Sequence, residues 1–204
     1  DILHFFDRIR YYTVKDVAFP EKIYAEPLRI LLTMLCYHKD ALPQGAPSSP
    51  AITNIILYEF DEQIGGWCRN QGIAYTRYCD DMTFSGDFDP SDLIQFVRLE
   101  LKKMGFLLNE QKTKIQRSGQ QQTVTGIVVN EKLSIPADYR RKLRQELYYC
   151  RKFGVREHLH RIGLDIPEDT YRMQLLGKIN YVLQIHPDDR DMIDAKNQII
   201  SKSR

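Results

Sequence analysis

Two aspartates stand side by side in Tyr78-Cys79-Asp80-Asp81, between strand-like runs at residues 73–78 and 82–85. Adjacent carboxylates repel each other unless cations neutralise them. Neighbouring side chains on an extended segment point to opposite faces, but at a hairpin tip both can reach one rim. Hard divalent ions such as Mg²⁺ prefer carboxylate oxygens. A pair of such ions about 4 Å apart suits nucleotidyl transfer, one lowering the pKa of an attacking hydroxyl and the other steadying a leaving pyrophosphate. A bare Asp-Asp is more often a polar turn, so the pair needs support from the rest of the chain.

That support begins at residue 1. Asp1 opens Asp-Ile-Leu-His-Phe-Phe, a carboxylate at the end of an apolar stretch, and can supply a third acidic ligand. Leu42-Pro43-Gln44-Gly45-Ala46-Pro47-Ser48-Ser49-Pro50 is a stiff loop. Its prolines pin the backbone, Gly45 permits close approach of a ligand, and the helix start behind it favours phosphate.

These residues need elements to hold them. Ser49-Pro50 reads as an N-cap followed by proline at the first helical position. Ile52, Ile56, Phe60, Ile64 and Trp67 then form one apolar stripe on a helix of about 20 residues. Residues 90–104 read as a second helix, opened by Asp89 or Ser91, and residues 114–116 and 123–129 as strands around Gly119. A small sheet with helices on one face makes this part α+β. From Pro136 onward nearly everything reads as helix. Tyr139, Leu143, Leu147 and Cys150 mark one, Tyr171, Leu175, Ile179 and Val182 a second, and a third is capped by Asp188.

Charge follows the same division. Residues 1–135 hold 15 Lys/Arg against 17 Asp/Glu, and residues 136–204 hold 14 against 10. Seven of those basic residues fall within 136–156, against Asp138 and Glu146. An acidic site that holds cations beside a basic surface that holds a polyanion fits this pattern. At 204 residues, 43% hydrophobic and 27% charged, the composition is that of a globular chain. The longest apolar run, residues 28–37, is about half of what a bilayer span needs and contains Arg29. Four scattered cysteines with no CxxC and no HExxH motif argue against a zinc site or a disulfide framework, and for a cytoplasmic setting.

Taken in order, the segments resemble the reverse-transcriptase palm, most closely that of the bacterial retron type. The resemblance rests on DIxxFF (residues 1–6), LPQGAPSSP (42–50), TRYxDDMTFS (76–85), LNxxKT (Leu108, Asn109, Lys112, Thr113) and VTG (Val124, Thr125, Gly126). It implies a palm over residues 1–135, a small antiparallel sheet with helices on one face, and an all-helical thumb over 136–204. It further implies an RNA-directed DNA polymerase that uses two Mg²⁺ ions, a structured RNA template, a DNA or RNA primer and dNTPs. Asp1, Asp80 and Asp81 would be the metal ligands and catalytic carboxylates, and Lys112 the general acid toward pyrophosphate. Phe6 would exclude a 2′-hydroxyl, Gln44 and Gly45 would contact the incoming nucleotide and template base, and residues 123–130 would form the primer grip. The VTG segment is associated with recognition of the cognate RNA.

The resemblance has two departures. Asp7-Arg8 stands where the family usually has Pro-Ser, and the chain begins with Asp at the first catalytic carboxylate, without fingers. The expectation is therefore a palm–thumb portion, inactive by itself. Two alternatives stay open. A group II intron maturase would continue into a further RNA-binding domain, and a non-catalytic RNA-binding relative in a defence complex would tend to have lost carboxylates. On a thumb helix over residues 137–153, Arg140, Arg144 and Arg151 share a face suited to a sugar–phosphate backbone. Carboxylates within that helix are too few to pair with most of its cations. The sequence leaves the oligomeric state, the RNA partner and any role in antiviral defence open.

Overall fold

The computed structural model of the chain describes residues 1–201, in two compact units, Asp1–Ile115 and Gln116 onward. Mostly helical, they carry two small antiparallel ladders. No helix among the described residues is long and apolar enough to cross a membrane.

The first unit runs α1 (Phe5–Arg8), α2 (Tyr11–Thr13), a π-helical turn (Val14–Ala18), α3 (Glu26–Cys36), α4 (Ser48–Ile56), α5 (Tyr58–Asn70), β1 (Ala74–Tyr78), β2 (Asp81–Ser85) and α6 (Pro90–Lys103). Ile52, Ile56, Phe60 and Ile64 are buried as their spacing predicts, and Trp67 stacks on Phe96 of α6 at 5.1 Å. The expected single helix is broken, however. Leu57 leaves helical geometry at φ −90°, ψ 7°, and its side chain is wholly buried. The helix start also differs. Pro47 occupies the cap position and Ser49 lies inside α4, where its Oγ donates to the Pro43 carbonyl at 2.6 Å. Asp89 caps α6 as expected, accepting from the Ser91 N–H, which holds its carboxyl below the ordinary value.

The apolar run at 28–37 forms α3, but not as core. Its buried residues are Arg29 and Thr33, while Leu31, Met34 and Leu35 are exposed. Arg29 explains the inversion: its guanidinium bonds Glu26, Asp16 and the Phe19 carbonyl, so the charged face must turn inward.

The second unit holds β3 (Thr123–Val124), β4 (Ile127–Val128), α7 (Ala137–Phe153), α8 (Val155–Ile162), α9 (Glu168–Ile185) and α10 (Arg190–Ser201). Residues 114–116 form no strand, and the expected strand at 123–129 is folded on itself as the β3–β4 hairpin. The reason is local: Thr125 and Gly126 both take positive φ (47° and 85°), the geometry of a two-residue hairpin turn. A fourth helix, α8, follows α7 because Gly154, at φ 88°, redirects the chain. Asp189, not Asp188, caps α10, accepting from the Met192 N–H. Leu143, Leu147, Tyr171, Leu175, Ile179, Val182, Met192 and Ala195 are buried together. The packing break between the two units falls after Ile115. Val128 exchanges hydrogen bonds with Ser134, and Ile135 enters the helical core, so this stretch belongs with the helices.

Candidate active site

Tyr78 pairs with Asp81 across the β1–β2 ladder, leaving Cys79 and Asp80 as the turn. Cys79 adopts left-handed backbone geometry at φ 53°, an uncommon state for a side-chain-bearing residue. Its own side chain is buried, Asp80 is half-buried and Asp81 is exposed. The turn is tied to the start of the chain, since the Ile2 N–H donates to the Asp80 carbonyl at 3.0 Å. Ile2 bridges Leu108, the Leu3 N–H bonds the Leu107 carbonyl, and the Asn109 N–H bonds the Asp1 carbonyl at 2.8 Å. The segment carrying Asp1 is thus threaded between the acidic turn and residues 107–109. Three motifs far apart in sequence meet here.

Lys112 completes the cluster. Its Nζ donates to Asp1 Oδ2 at 2.9 Å, with the lysine largely exposed and the Asp1 side chain 17% exposed. A one-turn bend sets its reach: Thr113 Oγ1 and the N–H groups of Lys112 and Thr113 all donate to the Asn109 carbonyl.

Three carboxylates on joined backbone segments are the right donor set for hard divalent ions. The Lys112 ammonium lies against one oxygen of Asp1. In these rotamers the lysine holds Asp1, and among the described residues no three His, Cys, Asp or Glu side chains close into a metal cluster.

Phe6 packs edge-on to Phe5 at 5.6 Å, and its carbonyl accepts the N–H of Leu42, the first residue of the proline-rich loop. DIxxFF and LPQG are therefore adjacent. Gln44 and Gly45 are exposed on that loop, and Gly45 holds φ 84°, a geometry that disfavours other residues.

A charged cluster behind the turn escapes the sequence reading. The Arg77 side chain is 4% exposed and forks onto Asp61 of α5, while its Nη1 reaches the Cys79 carbonyl at 2.8 Å and Asn54 Oδ1 of α4 at 3.2 Å. The Tyr75 hydroxyl also donates to Asp61; burial first, and then that carboxylate, push its pKa well up. The only sequence signal was an arginine beside the YxDD tyrosine.

In the second unit, Val124, Thr125 and Gly126 form the tip of the β3–β4 hairpin, with Thr125 and Gly126 exposed. A β-branched residue at φ 47° is strained, as functional turns often are. The expected basic face of α7 is altered. Arg140 pairs with the nearly buried Asp189, and Arg144 lies 3.6 Å from Asp191. Glu146 is bonded by Lys178 of α9. The count of carboxylates within α7 therefore misled: partners come from α10 and the residue before it. Arg141, Lys142 and Arg151 have no ion-pair partner among the described residues.

Residues 1–137 match the reverse transcriptase (RNA-dependent DNA polymerase) family. The chain belongs to that family. Within it the chain is similar to the retron type. The retron Mx65 reverse transcriptase of Myxococcus xanthus is 35% identical over 158 residues, 76% of this chain and 34% of the relative. The retron Ec86 reverse transcriptase of Escherichia coli is 34% identical over 135 residues, 63% of this chain and 42% of the relative. The retron Ec73 enzyme of the same organism is 29% identical across 80% of this chain and 52% of its own length. This chain spans about half or less of these relatives.

Proposed function

We propose that the chain supplies the palm (residues 1–135) and helical thumb (136–204) of a retron-type RNA-directed DNA polymerase, which adds dNTPs to a primer 3′-hydroxyl on a structured RNA template. The observation that carries this reading is the junction of Asp1 with the Asp80 turn and with Lys112. Asp1, Asp80 and Asp81 would hold two Mg²⁺ ions, which supply nucleophile activation and charge stabilisation at the transferring phosphoryl group when bound. Lys112 carries a proton at Nζ that it can give to the departing pyrophosphate. Phe6 lies beneath the sugar, Gln44 and Gly45 face the incoming nucleotide and template base, and residues 123–130 grip the primer strand. The VTG tip contacts the cognate RNA.

Primer extension on an RNA template with Mg²⁺ and dNTPs tests the reading in the intact protein. Asp80→Asn should reduce extension at least a thousandfold while leaving RNA affinity within about twofold, because it removes a metal ligand and no phosphate contact. Wild-type extension by that variant overturns the carboxylate assignment. RNA binding without extension by the wild-type protein would favour the non-catalytic alternative.

A further inference from the structure

We propose that Arg77 is the positioning residue of the acidic turn, a clamp that fixes where Asp80 and Asp81 stand; this rests on the polymerase reading above. Two carbonyls of the turn are held from outside it. Asp80's accepts the Ile2 N–H, from the segment that carries Asp1. Cys79's is held by Arg77 Nη1 at 2.8 Å. Cys79 is also the residue in left-handed geometry, so its peptide would relax toward ordinary backbone angles without an external hold.

Arg77 is itself rigidly seated. Both edges of its guanidinium are occupied: Nε and Nη2 lie on the two oxygens of Asp61, and Nη1 is shared by Cys79 and Asn54. Its side chain is almost wholly buried, and Tyr75 donates to Asp61 from the neighbouring strand position on the same face. A planar fork can fill this arrangement, whereas a lysine ammonium can meet only part of it. Asn54 lies on α4, the helix that follows the Gln44–Gly45 loop, and Asp61 lies on α5. The clamp therefore ties the carboxylate turn to the helix behind the nucleotide loop. Metal sites require ligands held within about 0.5 Å of the working geometry by such supporting bonds.

The test uses Mn²⁺ binding to the 204-residue chain, followed by loss of the free-ion electron paramagnetic resonance signal, with thermal melting in parallel. Wild type should bind Mn²⁺ and Asp80→Asn should lose it. Arg77→Ala should bind at least tenfold more weakly, and Arg77→Lys should fall between. Arg77→Ala strands Asp61 and can lower stability. The double variant Arg77→Met with Asp61→Leu replaces the ion pair with apolar volume, which such sites commonly tolerate. Folded, it should still show the tenfold loss, which a purely structural role would not produce. Near-wild-type Mn²⁺ affinity in the folded double variant, with Asp80→Asn deficient, overturns the clamp and leaves the carboxylate reading standing. Equal binding by wild type and Asp80→Asn overturns both.

Discussion

Phe6 is half-buried, its ring edge-on to Phe5 and its backbone carbonyl bonded by the Leu42 N–H. Its backbone is thus held beside the proline-rich loop, as a steric gate requires. In the intact polymerase, Phe6→Ala should raise the ratio of ribonucleotide to deoxyribonucleotide incorporation by roughly thirtyfold, corresponding to about 2 kcal/mol of lost clash. Deoxynucleotide addition should persist. An unchanged ratio in competition assays would return Phe6 to the plain core. At this scale the sequence was most informative where residue type implies chemistry: Asp1, Asp80, Asp81 and Lys112 were all named from it, and the backbone and the Asp1–Lys112 ion pair gather their segments together. Arg77 was not named, because an arginine in a strand is ordinarily solvated. Only its burial against Asp61 and the Cys79 carbonyl reveals a role.

At the scale of elements, α7 separates two kinds of cation. Arg140 holds Asp189, whose side chain is 8% exposed, and its Nε is buried with no partner. Arg140→Ala should therefore lower stability by about 2–3 kcal/mol, by leaving a buried carboxylate uncompensated. Arg141 and Arg151 are exposed and unpaired among the described residues, so they are free to meet phosphates. Arg141→Ala with Arg151→Ala should change stability by no more than ~0.5 kcal/mol. The same pair should flatten the slope of log K against log salt for duplex binding by about 1–2 units, at ~0.9 per phosphate. Melting curves and salt titrations of both variants check this. A flattened slope in Arg140→Ala at full stability would reverse the assignment. The helical periodicities of α7 and α9 were legible because one face of each is buried. Short α8 was not, since eight residues after a glycine give too little pattern, nor was α3, whose buried arginine inverts its apolar stripe.

At the scale of the whole molecule, two cores raise the question of where the chain opens first. Composition placed the change at Pro136, where helix becomes continuous. The packing breaks after Ile115: Ile135 joins the helical core, and the β3–β4 hairpin falls in the same compact unit. Composition follows secondary structure, whereas the break follows burial, and a polar hairpin conceals which core it serves. Residues 114–120 are exposed throughout and belong to no helix or strand. A protease needs several residues in extended form, which exposed irregular backbone supplies at little cost and a helix supplies only by local unfolding. Limited trypsin digestion should therefore cut first after Lys114 or Arg117, although α7 offers more basic residues. Mass spectrometry should find the two complementary pieces before smaller ones. The C-terminal piece should keep its helical circular dichroism, since Leu143, Leu147, Leu175 and Ile179 belong to one buried cluster within the second unit. First cuts at Arg140, Arg141 or Arg144 would mean that α7 unfolds more readily than the connecting segment, and the helical core would then depend on more than its own contacts.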